Sequence, residues 1–412
     1  MAGADAVLAR GLLSAVSVRE RAHDMLRLCE EGRLTSWRLD RARLPAVTDL
    51  VILTLRANYP TLDIPFHARW RHFVIGGRDR GDAWRPARPG QVISADLARS
   101  AFDLAIVSVL LDAGAGPDWR YKTADGFETG RSEGLAIASL DMFERGAFSA
   151  DPAAPRRADA DRLMTIGVAD LVAGFQVTDA NPLVGIEGRA RLLNGLGRVV
   201  AARPDVFAMQ DTPRPGGLFD HLAQVAVNGV LPAPKILEAV LTHLGPIWPS
   251  RLSLGGVDLG DAWKHPALVR DDATTGIVPF HKLSQWLSYS LIEPLQWAGI
   301  EVTAIDGLTG LPEYRNGGLF MDMGAIILKN PDDARLAHAP GSALIVEWRA
   351  LTVALLDEIA VIVRDRLGLD ATSLPLAKVL EGGTWAAGRK IARARRADGS
   401  PPLNIVSDGT VF

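Results

Sequence analysis

Apolar residues recur every three or four positions along most of this chain, which is the spacing of amphipathic α-helices. The pattern predicts helices over residues 17–31, 45–58, 93–113, 132–144, 157–172, 186–202, 217–227, 234–244, 280–293 and 342–367. Strand-like alternation is confined to residues 73–76 and 300–305. We therefore expect a mainly α-helical protein with a few short strands. Without a repeat or a βαβ rhythm, residues 1–412 predict a single continuous compact domain, with sub-lobes of about 1–150 and 151–412 around a cleft.

The helix predicted over residues 280–293 has an unusual face. It should end before Pro294, which lacks an amide hydrogen. Helical spacing places Lys282, Trp286 and Tyr289 together, and exposed helix faces seldom gather tryptophan and tyrosine with lysine. One interpretation is a helix packed between two layers, with the lysine reaching water. The other is a helix that lines a pocket, in which the aromatic rings stack on a flat ligand and the lysine supplies a polar contact.

Residues 306–322 combine acids, a base and an aromatic side chain with several glycines in a short stretch. They contain three acids, an arginine, a tyrosine and four glycines, and Pro312 and the glycines argue against a long helix. Carboxylates near a lysine suit glycosidic cleavage, and they also suit amide hydrolysis assisted by a metal or a nucleophile. The structural alternative is that Arg315 pairs with Glu347 or Asp306 and locks a turn.

The composition narrows the class of protein. The 412 residues carry a net charge of −3, which does not favour binding to nucleic acid phosphates. The single cysteine, Cys29, excludes a disulfide within the chain. The first residues do not resemble a signal peptide, and the apolar run 104–113 is too short to span a bilayer. We expect a cytoplasmic protein with a small-molecule substrate and with neither nucleic acid nor a membrane as partner; the oligomeric state stays open.

Metal and cofactor motifs are weak in this sequence. His67 and His72 flank an Arg-Trp-Arg element without the spacing of a zinc motif, and residues 383–390 lack the lysine and hydroxyl of a phosphate-binding loop. We therefore expect no metal and no cofactor. Arg69 and Arg71 are instead candidates for direct binding of a phosphate or carboxylate.

Residues 130–134, Gly-Arg-Ser-Glu-Gly, match the G-x-S-x-G pattern of serine hydrolases by letter. A nucleophile elbow requires an apolar strand before the serine, and residues 124–129 are poor strand formers. The motif therefore predicts the start of a helix capped by Ser132. Its Arg131 and Glu133 join the candidate substrate-binding residues.

Five motifs spread over nearly the whole chain carry a family resemblance. They lie at residues 64–73, 130–139, 280–286, 307–318 and 407–412. With them the chain resembles a uracil catabolism protein family of fungi and bacteria. The resemblance implies a part in a uracil-degrading pathway in which the ring is opened at the nucleotide or nucleoside level, leaving a ribosyl-urea type of intermediate.

A second, more distant resemblance concerns the order of four short elements: Phe-x-Lys-x-x-Gln, Leu-Thr, acid-Tyr-Arg and Glu-x-Arg-Ala. This order is similar to that of the queuosine salvage N-glycosylases. The similarity implies a compact helical fold like that of DNA glycosylases and cleavage of a base from a ribose 5′-phosphate. The functional lysine and acid of that family fall on Lys282 and Glu313, and its Glu-x-Arg-Ala element falls on Glu347 and Arg349. Because that family has aspartate in place of Glu313, Asp306 stays an alternative.

Taken together, these observations predict a metal-independent, N-glycosidase-type hydrolase. Its substrate would be a ribosyl-urea or another intermediate derived from a pyrimidine ribonucleotide. Glu313 or Asp306 would stabilise the ribosyl cation and position water. Lys282 would hydrogen-bond the substrate or a carboxylate partner, or assist the leaving nitrogen. The candidate substrate-binding residues are Tyr314, Arg315, Trp286, Tyr289, Arg69, Arg71, His72, Arg131, Glu133, Glu347 and Arg349. The alternatives are an amidohydrolase acting on the urea moiety and a non-catalytic, nucleotide-binding pathway protein.

Overall fold

A computed structural model describes residues 2–112, 114–208, 212–248 and 250–406. These residues divide into two compact units. The first comprises residues 2–67, 250–285 and 304–406, and the second comprises residues 68–112, 114–208, 212–248 and 286–303. The motif at residues 407–412 lies outside the described residues, and the expected single domain with sub-lobes meeting near residue 150 stays a prediction.

The first unit is built mainly from α-helices. These are Ala2–Leu12, Ala15–Glu30, Leu44–Asn58, Tyr314–Asp322, Ala343–Leu367, Leu376–Val379 and Trp385–Arg395, with 3₁₀ turns at Arg41–Arg43, Ile305–Gly307 and Pro331–Arg335 and a π-helical turn at Leu380–Thr384. Its strands form two-stranded pairs. Trp37–Leu39 with Ile326–Leu328, Ser253–Leu254 with Val257–Asp258 and Ala262–Lys264 with Ile277–Pro279 are antiparallel, and Ala337–His338 with Asn404–Ile405 is parallel.

Ala343–Leu367 is the central helix of this unit. Ser342 caps its first turn by accepting from the Ile345 amide, and Gly368 ends it in the left-handed conformation that glycine adopts without strain. Most of its side chains are buried, and it packs against Ala15–Glu30 and Leu44–Asn58. A helix that is apolar around most of its circumference belongs inside a domain, so this helix forms the core on which the site described below is built.

The second unit is also mainly helical. Its α-helices are Ala95–Leu110, Arg131–Glu144, Ala160–Thr165, Val168–Gly174, Ile186–Ala201, Pro204–Phe207, Gly217–Val225 and Ala233–Ala239, with 3₁₀ turns at Arg69–Phe73, Asp82–Trp84 and Gly245–Ile247 and a π-helical turn at Val240–Leu244. Its strand pairs are Val74–Ile75 with Arg78–Asp79 and Tyr121–Lys122 with Glu128–Thr129, both antiparallel, and Val230–Pro232 with Glu301–Thr303, which is parallel. The helix Lys282–Trp297 begins in the first unit and ends in the second.

The prediction of a mainly α-helical protein with a few short strands is confirmed. The predicted stop at Pro294 is wrong, because the helix continues through this proline to Trp297. Proline leaves the carbonyl four residues earlier without its amide partner. That carbonyl belongs to Ser290, and the indole nitrogen of Trp70 donates to it at 2.8 Å. A distant side chain thus replaces the lost helical hydrogen bond.

Two smaller predictions also need correction. The helix expected over residues 157–172 is divided into Ala160–Thr165 and Val168–Gly174, because Gly167 is extended and its amide donates to Asp170 at 2.8 Å, which starts a new helix. The helix at the G-x-S-x-G match is capped by Gly130 and not by Ser132. No helix in the described part of the chain combines the length and the hydropathy that a membrane crossing requires.

Candidate active site in the first unit

Lys282 is the first residue of the helix Lys282–Trp297, and Asp261 fixes the position of this helix start. The Lys282 amide donates to Asp261 Oδ2 at 3.0 Å. The amides of Phe280 and His281 both donate to the backbone carbonyl of Asp261, at 2.9 and 3.3 Å. His281 has a φ of +48°, a left-handed conformation that costs free energy in a residue with a side chain. The chain therefore enters the helix through a strained residue, whose amide is bound by Asp261 and whose ring contacts the Leu12 carbonyl at 2.9 Å.

Asp261 is itself held by a two-pronged ion pair. Both terminal nitrogens of Arg349 donate to its two carboxylate oxygens at 2.8 Å each, and the Trp263 indole donates to Oδ1 at 2.8 Å. The Arg349 guanidinium lies 4.1 Å from the centre of the Phe280 ring. Burial alone would raise the pKa of Asp261, but the Arg349 charge and these hydrogen bonds outweigh it and hold the pKa far below its usual range. Asp261 is therefore a permanent carboxylate in a structural role.

Glu313 is the N-cap of the helix Tyr314–Asp322. Its two carboxylate oxygens accept from the amides of Arg315 and Asn316 at 2.8 and 2.6 Å. Part of the side chain reaches solvent, but the dense packing around the carboxyl raises its pKa above the ordinary value. The two backbone amides oppose this shift, as do the positive charges of Lys282 and Arg315. An acid whose pKa is raised, placed within electrostatic range of a lysine, is a candidate proton-transfer group.

Short contacts join the remaining motif elements of this unit. Gln285, on the first turn of the Lys282 helix, donates from its side-chain amide to the Thr309 hydroxyl at 2.8 Å and accepts from the Thr309 amide at 3.3 Å. A Cβ at Gly317 would lie 2.5 Å from the Trp348 ring, so this glycine permits close packing on the central helix. The Phe-x-Lys-x-x-Gln, Leu-Thr, acid-Tyr-Arg and Glu-x-Arg-Ala elements therefore meet in one unit.

Asp306 lies in the 3₁₀ turn Ile305–Gly307, and its carboxylate is bound by residues other than those around Glu313. Arg364 and the Leu376 amide each donate to one of its oxygens at 2.5 Å. Arg19 donates to its backbone carbonyl at 3.0 Å. The preceding Ala304 has a φ of +49°. These contacts tie Asp306 to the C-terminal half of the central helix, whereas the charge of Lys282 acts on Glu313.

Glu347 is fully buried and accepts four hydrogen bonds. Both polar groups of Thr35 donate to it at 2.9 and 3.1 Å, the Ser36 amide at 2.9 Å, and His265 Nε2 lies at 3.0 Å. Burial would raise its pKa, but the hydrogen bond from His265 and the others lower it. This arrangement fixes a turn near residue 35. The expected pairing of Arg315 with Glu347 or Asp306 is replaced by a bond from Arg315 to the Gly399 carbonyl at 3.2 Å and a stack on the Tyr314 ring at 4.7 Å.

The other predicted substrate-binding residues belong to the second unit. Arg71 donates to both oxygens of Glu293 at 2.8 and 2.9 Å. The His72 and Trp286 rings meet edge to face at 5.6 Å, and Tyr289 is fully buried. Arg69 is fully buried beside Asp112, and a charge interaction links Arg69 to Glu133.

Arg131 is an exposed residue of the second unit that opens the helix Arg131–Glu144 with a φ of +54°. The substrate-binding roles of all these residues of the second unit stay predictions. Among the described residues, no group of three or more His, Cys, Asp or Glu side chains is placed to hold a metal ion.

Sequence reasoning missed Asp261, which is 21 residues before Lys282 and has no local motif. Strand pairing between Ala262–Lys264 and Ile277–Pro279 brings it to the helix start. Neither strand shows a strand pattern in the sequence, so no local signal pointed to Asp261. Sequence reasoning also missed Asp112, because only the fold shows that its carboxylate is buried beside the Arg69 guanidinium.

Comparison with known proteins extends over almost the entire chain. Residues 11–412 match the family described as "Protein of unknown function (DUF1688)". "Protein urg3" of Schizosaccharomyces pombe is 41% identical over 412 residues, which cover 97% of this chain and 98% of that protein. "Uracil catabolism protein 4" of Lachancea kluyveri is 37% identical over 435 residues, which cover 96% of this chain and 97% of that protein. The resemblance to a uracil catabolism protein family is thereby confirmed, and the chain belongs to the DUF1688 family.

Proposed function

We propose that this protein acts in uracil catabolism as a hydrolase of an N-ribosidic bond. The pathway is suggested by the name of the Lachancea kluyveri relative, which aligns over almost the full length of both chains. The chemistry is supported by one observation above all, the half-buried Glu313, whose pKa is raised by burial and lowered in part by the charge of Lys282. The proposed substrate is a ribosyl-urea or another intermediate derived from a pyrimidine ribonucleotide.

The hydrogen bonds of Glu313 are compatible with this role. A carboxylate offers about four lone-pair positions, and the amides of Arg315 and Asn316 occupy two of them. The remaining positions can accept a proton from an attacking water and face the positive charge that develops on the sugar. Because the helix Tyr314–Asp322 fixes the carboxyl through its own backbone, the acid needs little reorganisation before reaction.

In the proposed step the bond between the anomeric carbon and the leaving nitrogen breaks while a water oxygen bonds to that carbon. Glu313 takes a proton from the water, and the ammonium group of Lys282 gives one to the leaving nitrogen. The products of a ribosyl-urea are then urea and the free sugar, and proton exchange with solvent returns both side chains to their starting forms. Asp261, Arg349 and Trp263 act indirectly, because they hold the backbone from which Lys282 extends.

The test is an assay of the purified full-length protein with a ribosyl-urea and its 5′-phosphate. Free urea and reducing sugar should appear in equal amounts. Glu313→Gln and Lys282→Met should each lower kcat/KM by about 10² to 10⁴-fold, the usual contribution of a general acid or base. Glu301→Gln and Lys264→Met are matched controls. Both positions are exposed and lie on short strands, whereas Glu313 and Lys282 lie at helix starts, so both control variants should keep wild-type rates.

Other outcomes would replace this proposal. Ammonia release without free sugar would identify an amidohydrolase acting on the urea moiety. Thermal stabilisation by a nucleotide without turnover would indicate a non-catalytic binding protein. A larger loss in Asp306→Asn than in Glu313→Gln would transfer the catalytic role to Asp306.

A further inference from the structure

A chain of hydroxyl groups orients the buried guanidinium of Arg69 in the second unit. The Ser139 hydroxyl donates to the Ala136 carbonyl at 2.7 Å, so its oxygen is left to accept from Ser108 at 2.6 Å. Ser108 has then used its own hydrogen, and its oxygen accepts from Arg69 Nε at 2.7 Å. Nη1 of Arg69 points to the Ser132 carbonyl and to Asp112 Oδ2, both at 3.3 Å. This network leaves Nη2 as the guanidinium nitrogen that has no hydrogen-bond partner among the described residues.

Three polar atoms around this guanidinium are buried and have no hydrogen-bond partner among the described residues. They are Arg69 Nη2, Asp112 Oδ1 and Trp286 Nε1. Arg69 is 0% exposed, Trp286 is 8% exposed, and the Asp112 side chain is 7% exposed. The Arg69 guanidinium lies 5.6 Å from the centre of the Trp286 ring. A buried polar atom that makes no hydrogen bond destabilises the folded protein, so a group of three such atoms indicates a ligand or water.

The charges around these atoms favour a neutral ligand over an anion. Arg69 interacts electrostatically with the carboxylates of Asp112 and Glu133, and a second buried cation, Arg189, interacts with Asp112. Two positive and two negative groups leave no excess positive charge for a phosphate. The open hydrogen-bonding positions are two donors, on Arg69 and Trp286, and one acceptor, on Asp112.

We propose that Arg69, Asp112 and Trp286 bind a neutral ureido or cyclic-imide group. A carbonyl oxygen of the ligand accepts from Arg69 Nη2 and Trp286 Nε1, and the adjacent N–H donates to Asp112 Oδ1. This pairing of a carbonyl with a neighbouring N–H is found in ureas and on the imide edge of pyrimidine bases. The proposal rests on the geometry of the second unit, and it does not depend on N-ribosidic hydrolysis at Glu313.

Two ligand pairs test this proposal by isothermal titration calorimetry on the full-length protein. Uracil and N-methylurea carry the required N–H, whereas 1,3-dimethyluracil and tetramethylurea have it blocked by methyl groups. The unblocked member of at least one pair should bind, and its blocked counterpart should bind at least about tenfold more weakly, because a site built around a hydrogen bond rejects an analogue that cannot make it. Inorganic phosphate should not compete.

A conservative substitution isolates the contribution of the indole. Trp286→Phe keeps an aromatic ring and should weaken the binding of the unblocked ligand by about tenfold, the equivalent of one hydrogen bond. Trp248→Phe is the matched control, since its indole nitrogen is also buried without a partner among the described residues, and it should bind like the wild type. Glu313→Gln should retain binding even if it loses turnover, which separates this proposal from the catalytic one.

Three results would overturn the assignment. Equal binding of blocked and unblocked ligands would show that Asp112 receives no N–H. Displacement of the ligand by phosphate would show an anion site. Absence of binding by both unblocked ligands would mean that buried water satisfies the three atoms, as it does in many protein interiors.

Discussion

The two units each contain a buried arginine–aspartate pair, and the pairs differ in how completely the aspartate is bound. In the first unit, Arg349 and Asp261 make two bonds of 2.8 Å, and Asp261 also accepts from Trp263 and from the Lys282 amide. In the second unit, Arg69 and Asp112 share one contact of 3.3 Å, and Asp112 Oδ1 has no partner among the described residues. The first pair is closed, in the sense that both carboxylate oxygens are hydrogen-bonded, and it positions the backbone. The second pair is open, because one carboxylate oxygen is left for a ligand.

The physical reason for this difference is the cost of removing charge from water. A buried ion pair is tolerated when its remaining lone pairs and hydrogens are satisfied, and it is costly when they are not. Asp261 meets this condition within its own unit, so it can serve as a rigid support. Asp112 does not meet it, and a protein retains such a defect most readily where a ligand removes it.

Asp261→Asn should have the largest effect on stability. The amide loses its charge and cannot accept both Arg349 nitrogens, so Arg349, which is fully buried, is left with an uncompensated charge. Breaking a buried pair in this way costs about 3–5 kcal/mol of the free energy of unfolding, measured by urea denaturation.

Asp322→Asn is the matched control for this variant. Its partner Arg396 also makes a two-pronged contact, at 2.8 and 2.6 Å, but the Arg396 side chain is 25% exposed and can turn to water. Its loss of stability should therefore be clearly smaller. Equal losses in the two variants would mean that burial of the arginine does not decide the cost.

The depressed pKa of Asp261 also predicts how the effect of Asp261→Asn depends on pH. A carboxyl whose pKa is lower in the folded than in the unfolded state stabilises the protein above its unfolded pKa, which is about 3.9. That contribution is lost as the pH falls through the folded pKa. The difference in unfolding free energy between wild type and Asp261→Asn should therefore be constant at neutral pH and shrink below roughly pH 4. A difference that grows on acidification would contradict this assignment.

Sequence patterns predicted the helices whose start and end signals are local. Ser342 and Gly368 flank the central helix and marked both of its ends. The continuation through Pro294 could not be predicted, because the compensating donor, Trp70, is more than two hundred residues away in the sequence. The same limit applies to the site. The order of motif elements pointed to Lys282 and Glu313, whereas Asp261 becomes significant only through a strand pair.

Asp112→Asn should cost less than Asp261→Asn. Only one contact of 3.3 Å is lost, and Arg69 keeps its bonds to Ser108 and to the Ser132 carbonyl. We expect a decrease of about 2 kcal/mol in the free energy of unfolding, comparable to one hydrogen bond to a charged group. Asp205→Asn removes an exposed ion pair with Arg203 and should show no measurable change. If Asp112→Asn lost as much stability as Asp261→Asn, the hydrogen-bonding positions of Asp112 would be as fully satisfied as those of Asp261.

Trp263→Phe should have the smallest effect on stability. It tests whether the remaining hydrogen bonds hold Asp261 in place when one of them is removed. The substitution removes the indole bond to Asp261 Oδ1 at 2.8 Å and keeps an aromatic ring beneath Arg251, whose guanidinium lies 4.9 Å from the ring centre. Because Arg349 and the Lys282 amide still bind the carboxylate, the loss should be about 1 kcal/mol. A loss near that of Asp261→Asn would show that the indole, and not the arginine, keeps the aspartate in place. The helix start at Lys282 would then depend on a single neutral hydrogen bond, and the contrast between a closed and an open pair would no longer hold.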